Sequence, residues 1–296
     1  MDIKTYIGSR KQSVDAFLQS YFSSAFRPKK LYESVTYSLS AGGKRIRPVL
    51  CIAAYEACGG SADDVVPYAS ALELIHTYSL IHDDLPAMDD DDLRRGKPTN
   101  HVVFGDGIAI LAGDALLTEA FVLLSDARFR AAGISDGQIL RAIAEISFAA
   151  GAEGMVGGQA QDLLSEDSDP DADTLSFIHA HKTAALIRAS IVTGGILAGA
   201  DADGLDSLRE YGKNIGIAFQ VVDDILDITG ETAVIGKPAG SDEKKKKMTY
   251  PKLYGLEQSK RQAEQLVADA VATLGGFDQK ADPLREIARY VASRTS

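Results

Sequence analysis

Basic residues are in short supply in this chain: 31 Lys and Arg stand against 42 Asp and Glu, a formal net charge of −11. That balance argues against a nucleic-acid partner, which needs a broad basic surface. Cysteine is scarcer still. Cys51 and Cys58 lie seven apart in a segment that reads as helix, so their Cα atoms are expected roughly 10 Å apart, beyond the span of a disulfide. Two thiols in a reducing compartment is the expectation. Long apolar runs are missing too. Ala189 to Ala200 is too short to span a bilayer, and the longer Gly107 to Leu124 carries Asp114 and Glu119. Met1-Asp2-Ile3-Lys4-Thr5-Tyr6 has no basic stretch leading into an apolar one, so no signal peptide is expected. The expectation is a soluble cytoplasmic protein without a transmembrane segment.

Alternating β-branched runs and Asn-Gly turns are also absent. Apolar residues recur instead at helical spacing, as in Leu72, Ile75, Ser79 and His82, or Leu116, Ala120, Leu123 and Leu124. The fold class predicted is all-α, with about ten or more helices. No Pro/Ser-rich linker divides the 296 residues, so one domain over 1–296 is expected. Three segments read as loops: Gly42 to Pro48, Glu166 to Asp173, and Ile235 to Pro251. The last is Gly/Pro/Lys-rich and reads as a mobile lid.

Three motif look-alikes fail on spacing. Gly230 to Pro238 has one residue too many between its glycines for a P-loop, and Pro238 stands where Ser or Thr must bind Mg2+. An EF-hand beginning at Asp167 has Ala172 at its glycine position and Ile178 at its glutamate position. Gly105-Asp106-Gly107 lacks the third glycine of a dinucleotide site.

Two aspartate clusters carry the chemistry. The first is Asp83-Asp84-Leu85-Pro86-Ala87-Met88-Asp89; the second is Asp223-Asp224-Ile225-Leu226-Asp227. Each follows an apolar run that reads as helix. Dense carboxylates at a helix end repel one another and are costly to desolvate, and hard divalent cations are the usual reason for them. Asp223 and Asp227 are four apart and share a helix face with Gln220. Asp83 and Asp89, six apart, would point about 120° away from each other on a straight helix. Pro86 supplies the break that lets both face one site. Leu93-Arg94-Arg95-Gly96-Lys97-Pro98-Thr99 follows directly. Metal on one side of a diphosphate and guanidinium forks on the other is the arrangement this implies. An acidic protein that binds an anionic phosphate must hold it with metal and a few local cations. Alone, the second cluster also reads as a solvated helix end, the first as a charged loop, and His76 as a core histidine.

Together these segments resemble the trans-isoprenyl diphosphate synthases, most closely the bacterial-type farnesyl diphosphate synthases. The resemblance runs in order through Gly42-Gly43-Lys44-Arg45-Ile46-Arg47-Pro48, Leu74 to Asp89, Leu93 to Thr99, Gly157-Gly158-Gln159, His181-Lys182-Thr183, Phe219 to Asp227, and Lys247-Met248-Thr249-Tyr250-Pro251. Ser241 stands where many relatives carry a second lysine. The resemblance implies an all-α bundle around a central cavity, a homodimer, and head-to-tail condensation of isopentenyl diphosphate with dimethylallyl and geranyl diphosphates. It implies Mg2+ held by Asp83, Asp89 and Asp223, with Asp84 and Asp227 close by. Arg94, Lys182 and Lys237 would complete the charge neutralisation of the allylic diphosphate. Lys44, Arg47, His76 and Arg95 would hold isopentenyl diphosphate. Thr183 and Gln220 carry oxygens suited to an allylic cation, with Lys182 beside them.

Tyr78 lies five residues before Asp83, roughly 7.5 Å down the helix axis. A bulky aromatic there, beside the small Ser79, would stop a growing tail early, so a fifteen-carbon product is expected. Geranylgeranyl or geranyl diphosphate is the alternative product. A non-catalytic partner subunit would be expected to have lost an aspartate cluster. A terpene cyclase would not need the second diphosphate pocket.

Overall fold

The computed structural model describes residues 1–166, 171–229 and 248–293. Lys237, Ser241, the Gly230 to Pro238 look-alike and most of the expected lid lie outside the described residues. The chain is all-α: α1 (Ile3–Tyr21), α2 (Lys29–Leu39), α3 (Ile46–Ala57), α4 (Ala62–Asp83), α5 (Asn100–Phe104), α6 (Asp106–Ser125), α7 (Asp136–Ala150), α8 (Met155–Leu164), α9 (Ala172–Ile178), α10 (Ala185–Leu197), α11 (Ala202–Thr229), α12 (Tyr250–Tyr254), α13 (Leu256–Thr273) and α14 (Asp282–Ala292).

Local chemistry sets several helix starts. Asp2 accepts from the Lys4 amide ahead of α1, and Asp171 from the Thr174 amide ahead of α9. Ser135 and Gln138 form a reciprocal capping box at α7. At the middle of the molecule α10 is buried along its length except at Arg188. A helix apolar all round belongs inside a bundle. It runs against α3, and at Gly194 any side chain would collide with the Cys51 carbonyl. Leu186, Val192 and Ile196 of α10 join a core shared with α4 and α6, while Ile187 and Ile191 join one shared with α11, α13 and α14. The α3–α10 layer thus separates two apolar cores, and the site described below is built on their helices.

α6 is long and apolar enough to cross a membrane by length and composition, and 39% of that stretch is buried inside the fold. Ala109, Ala112, Leu116 and Ala120 lie on its buried side, whereas Ile110, Leu111 and Val122 are exposed. Cys51 is buried and Cys58 half-buried, and both are free thiols, as their spacing predicts. Burial pushes Cys51 up and carries Cys58 to about 11.

The sequence shows no hairpin signal, yet Leu93–Arg94 pairs antiparallel with Lys97–Pro98. Arg95 (φ 54°) and Gly96 (φ 75°) form the turn. Two consecutive left-handed residues fit a right-twisted hairpin. Arginine in place of the usual Asn or Asp hides the turn from a composition rule.

Candidate active site

A cavity of about 1160 Å3 is lined by the α2–α3 loop, α4, the hairpin, α8, the end of α9 with the turn that follows it, and α11. Asp83, Asp89 and Asp91 line it from one side, and Asp223 and Asp224 from α11. α4 stops at Asp83. Beyond it the chain turns back, so that the Asp89 amide donates to the Asp83 carbonyl at 2.8 Å and the Asp90 amide to the Leu85 carbonyl at 3.1 Å. Asp90 takes φ 49° to close the turn. The break at Pro86 therefore brings Asp83 and Asp89 to one wall, as the sequence predicts.

Asp84 does not line the cavity. It is 3% exposed and takes the Arg94 guanidinium as a fork, with Nε at 2.7 and 2.9 Å and Nη2 at 2.5 Å. Burial pushes the Asp84 carboxyl up, and the guanidinium offsets part of that. Arg94, expected at the allylic diphosphate, thus has an internal carboxylate partner in this structure. A buried carboxylate needs such a partner, and a planar fork fits it best. Asp227 is also buried and away from the cavity lining.

Lys44, Arg47, His76 and Arg95 line the same cavity. Arg47 is buried, its Nε has no hydrogen-bond partner, and burial lowers it to about 10 despite Glu73 and Asp223 nearby. It remains a cation near neutral pH. Burial, then the neighbouring Arg47, Arg95 and Arg94, hold His76 well below its ordinary value, so its imidazole is neutral. Arg95 donates to the Gly42 carbonyl, and the side chain lies so close to Gly43 that only glycine fits there. Burial lowers Arg95 as well. Two guanidinium groups and a neutral imidazole converging on one wall are suited to a diphosphate.

Residues 179–184 wind as a π-helical turn between α9 and α10. Such a bulge re-aims side chains, and Lys182 and Thr183 both reach the cavity from it. α8 crosses the turn at Gly158, where any side chain would strike the Lys182 backbone. Lys182 Nζ donates to Asp162 at 2.5 Å. Like Arg94, it is held by an internal carboxylate. Thr183 donates to Gln220 Oε1 at 2.7 Å. Tyr78, 6% exposed, and Ser79 line the cavity from α4. The Tyr78 ring meets His82 edge-on, and burial, then Asp83, raise its hydroxyl to about 12.

Among the described residues no group of three His, Cys, Asp or Glu side chains is arranged as a ready-made metal cage. The donor set nevertheless fits Mg2+. That ion is usually held by one or two carboxylates while substrate phosphates and waters complete its shell. Asp83 and Asp89 on one side and Asp223 on the other offer such donors around one cavity.

Three residues of this site were not singled out from sequence. Glu73 is buried beneath the basic loop and holds Arg45, Asp162 holds Lys182, and His179 pairs with Asp224 at 3.2 Å. Asp162 stands three after Gln159, and His179 four before Thr183, which hints at a shared face without giving a partner.

The family model described as polyprenyl synthetase matches residues 28–284. The chain is 47% identical over 295 residues to a dimethylallyltranstransferase of Fischerella ambigua (strain UTEX 1903), covering 99% of this chain and 84% of that one. It is 46% identical over 296 residues to a geranylgeranyl diphosphate synthase of Cyanophora paradoxa, covering 100% and 97%. The crystal structure of an FPP/GFPP synthase from Zymomonas mobilis superposes with a TM-score of 0.86 at 37% identity, covering 98% and 99%.

Proposed function

The chain belongs to the polyprenyl synthetase family, and we propose that within it the chain is a Mg2+-dependent synthase whose main product is geranylgeranyl diphosphate. Similarity over essentially the whole chain to a protein named geranylgeranyl diphosphate synthase carries the product reading. A fifteen-carbon product is the second reading. Tyr78 on the cavity wall and the likeness to the FPP/GFPP synthase favour it.

Condensation breaks the bond between C1 and oxygen of the allylic diphosphate and joins that C1 to C4 of isopentenyl diphosphate. A proton from C2 of the isopentenyl unit leaves with the released diphosphate. Bound Mg2+ supplies charge stabilisation for the departing diphosphate. Asp83, Asp89 and Asp223 are the residues to hold it, and Asp84 keeps Arg94 at that wall. Lys182 lies across the same space. Arg47 and Arg95 take the second diphosphate by charge, Lys44 beside them adds another cation, and neutral His76 donates an N–H. Thr183 has committed its hydroxyl hydrogen to Gln220, so its lone pairs remain as a weak negative dipole for the allylic cation.

Product sizing tests the reading. Purified protein is supplied with Mg2+, labelled isopentenyl diphosphate and either dimethylallyl or geranyl diphosphate, and the dephosphorylated products are separated by length. A twenty-carbon product is expected from both, and a fifteen-carbon product would establish the second reading. Tyr78→Ala is expected to lengthen the products, and an unchanged distribution would remove Tyr78 from the floor.

A second copy of the chain is the expected partner. Ile110, Leu111 and Val122 of α6 and Leu140 and Phe148 of α7 are exposed large apolar side chains. Exposed apolar side chains concentrated on two helices support an interaction face there. Light scattering should return twice the 31.5 kDa chain mass, and a monomer at micromolar concentration would sink the idea.

A further inference from the structure

We propose that Asp224 is a positioning residue that fixes the polarity of the Thr183–Gln220 pair, with His179 as its anchor, and does not serve as a metal ligand. The inference rests on the prenyl-transfer reading above and concerns how the site presents itself to the allylic cation.

Asp224 is 3% exposed, and protein donors occupy both of its oxygens. Oδ1 accepts from Gln220 Nε2 at 2.8 Å. Oδ2 accepts from the Tyr250 amide at 2.9 Å and lies 3.2 Å from His179 Nε2. Three elements therefore converge on one carboxylate: α11, the π-helical turn and the first residue of α12. The Tyr250 ring stacks on His179 at 6.3 Å and helps keep the imidazole in place. The neighbouring Asp223 lines the same cavity.

A carboxylate only accepts hydrogen bonds. Facing Asp224, Gln220 must present its NH2, so its carbonyl oxygen is turned to Thr183. That oxygen in turn takes the Thr183 hydroxyl hydrogen. The end of the chain is an oxygen with its lone pairs uncommitted, beside the carbon that becomes cationic. Asp224→Asn removes the constraint. An Asn amide can face Gln220 by either end, so Gln220 can flip and Thr183 can turn its O–H toward the cation. The polarity that suits a cation is then no longer enforced.

Asp224→Asn is expected to lower kcat roughly ten- to a hundredfold, the range for losing a hydrogen bond to a charged group. KM for both diphosphates should stay near wild type. Calorimetry adds a readout independent of turnover, using Mg2+ with geranyl S-thiolodiphosphate, a slowly ionising analogue. Asp224→Asn should leave the Mg2+ requirement for analogue binding unchanged, whereas Asp223→Asn should raise it. A folded Asp224→Asn with wild-type kcat, or with the Mg2+ requirement of Asp223→Asn, would overturn the proposal. Should Asp224→Asn fail to fold, His179 decides. His179→Ala is expected to lose kcat with analogue binding retained, and His179→Gln, which keeps a donor, to recover most of it. Equal kcat in His179→Ala and wild type would overturn the proposal. If the wild-type protein condenses no allylic substrate, the prenyl-transfer reading itself fails and the proposal falls with it.

Discussion

Asp83→Ala is expected to lower kcat by at least about 10²- to 10³-fold, on the scale of removing one electrostatic stabiliser of a developing anion, and to leave the helical content unchanged. The turn after α4 is closed by the backbone. Asp83 contributes its carbonyl to Asp89 at 2.8 Å, and an alanine carbonyl does the same. What the substitution removes is a carboxylate from a cavity lining that also holds Asp89 and Asp91. Taking one charge out of such a cluster relieves repulsion, so the melting temperature should hold or rise. The analogue titration that separates Asp223 from Asp224 should show weaker Mg2+-dependent binding here. Lost helicity by circular dichroism, or turnover close to wild type, would place Asp83 in the scaffold instead.

The elements that could be read from the sequence are those whose signal is local. The apolar rows of α4 and α6, the break at Pro86, and the basic loop from Gly42 to Pro48 each depend on neighbours a turn or two away. The first two fall where the spacing predicts; the loop is shorter than expected, because α3 already begins at Ile46 and takes Ile46, Arg47 and Pro48 into its first turn, where a proline's missing N–H costs no helical hydrogen bond. The missed features depend on long-range partners or on an unusual local winding. Nothing near Arg94 or Lys182 shows that Asp84 and Asp162 hold them, because those bonds are made only once the chain has folded. The π-helical turn is invisible to a search at a period of 3.6 residues, although it puts Lys182 and Thr183 on the cavity. Asp227 shows the same limit in reverse. Sharing a helix face with Asp223 predicted a common site, yet one turn along α11 was enough to bury it away from the cavity lining. Product length sits furthest from local signal. Tyr78 alone argues for a short tail, and whole-chain similarity argues for a longer one.

Arg45→Met should be the most destabilising single change at the site's edge. Arg45 sits ahead of α3 with φ 52° and is 5% exposed. It donates to Glu73 Oε1 at 2.7 Å, Asp15 Oδ1 at 2.8 Å and the Leu39 carbonyl at 2.6 Å. Burial alone would lower its pKa, but Glu73 and Asp15 raise it above the ordinary arginine value. Glu73 is 1% exposed, and its second oxygen has no hydrogen-bond partner. Without Arg45 the buried Glu73 carboxylate loses its hydrogen-bonded partner, a loss of up to roughly 3–5 kcal/mol that the nearby Arg47 and Arg95 offset in part. Asp15 suffers less, because it is about a third exposed and keeps Lys11 at 2.6 Å. For a domain of this size the melting temperature should fall by roughly 6–15 °C. Lys44 and Arg47 flank Arg45, so the same change should raise KM for isopentenyl diphosphate more than it lowers kcat. Arg45→Met with Glu73→Leu should regain much of the stability, since replacing both members of a buried pair by apolar groups is often neutral. The regained stability need not bring back the low KM, because the guanidinium also ties the basic loop to the end of α2. Thermal melts of the single and double variants separate the two roles. If both melt alike, the lost stability lies in the Leu39 and Asp15 bonds and Glu73 is not the charge that Arg45 neutralises.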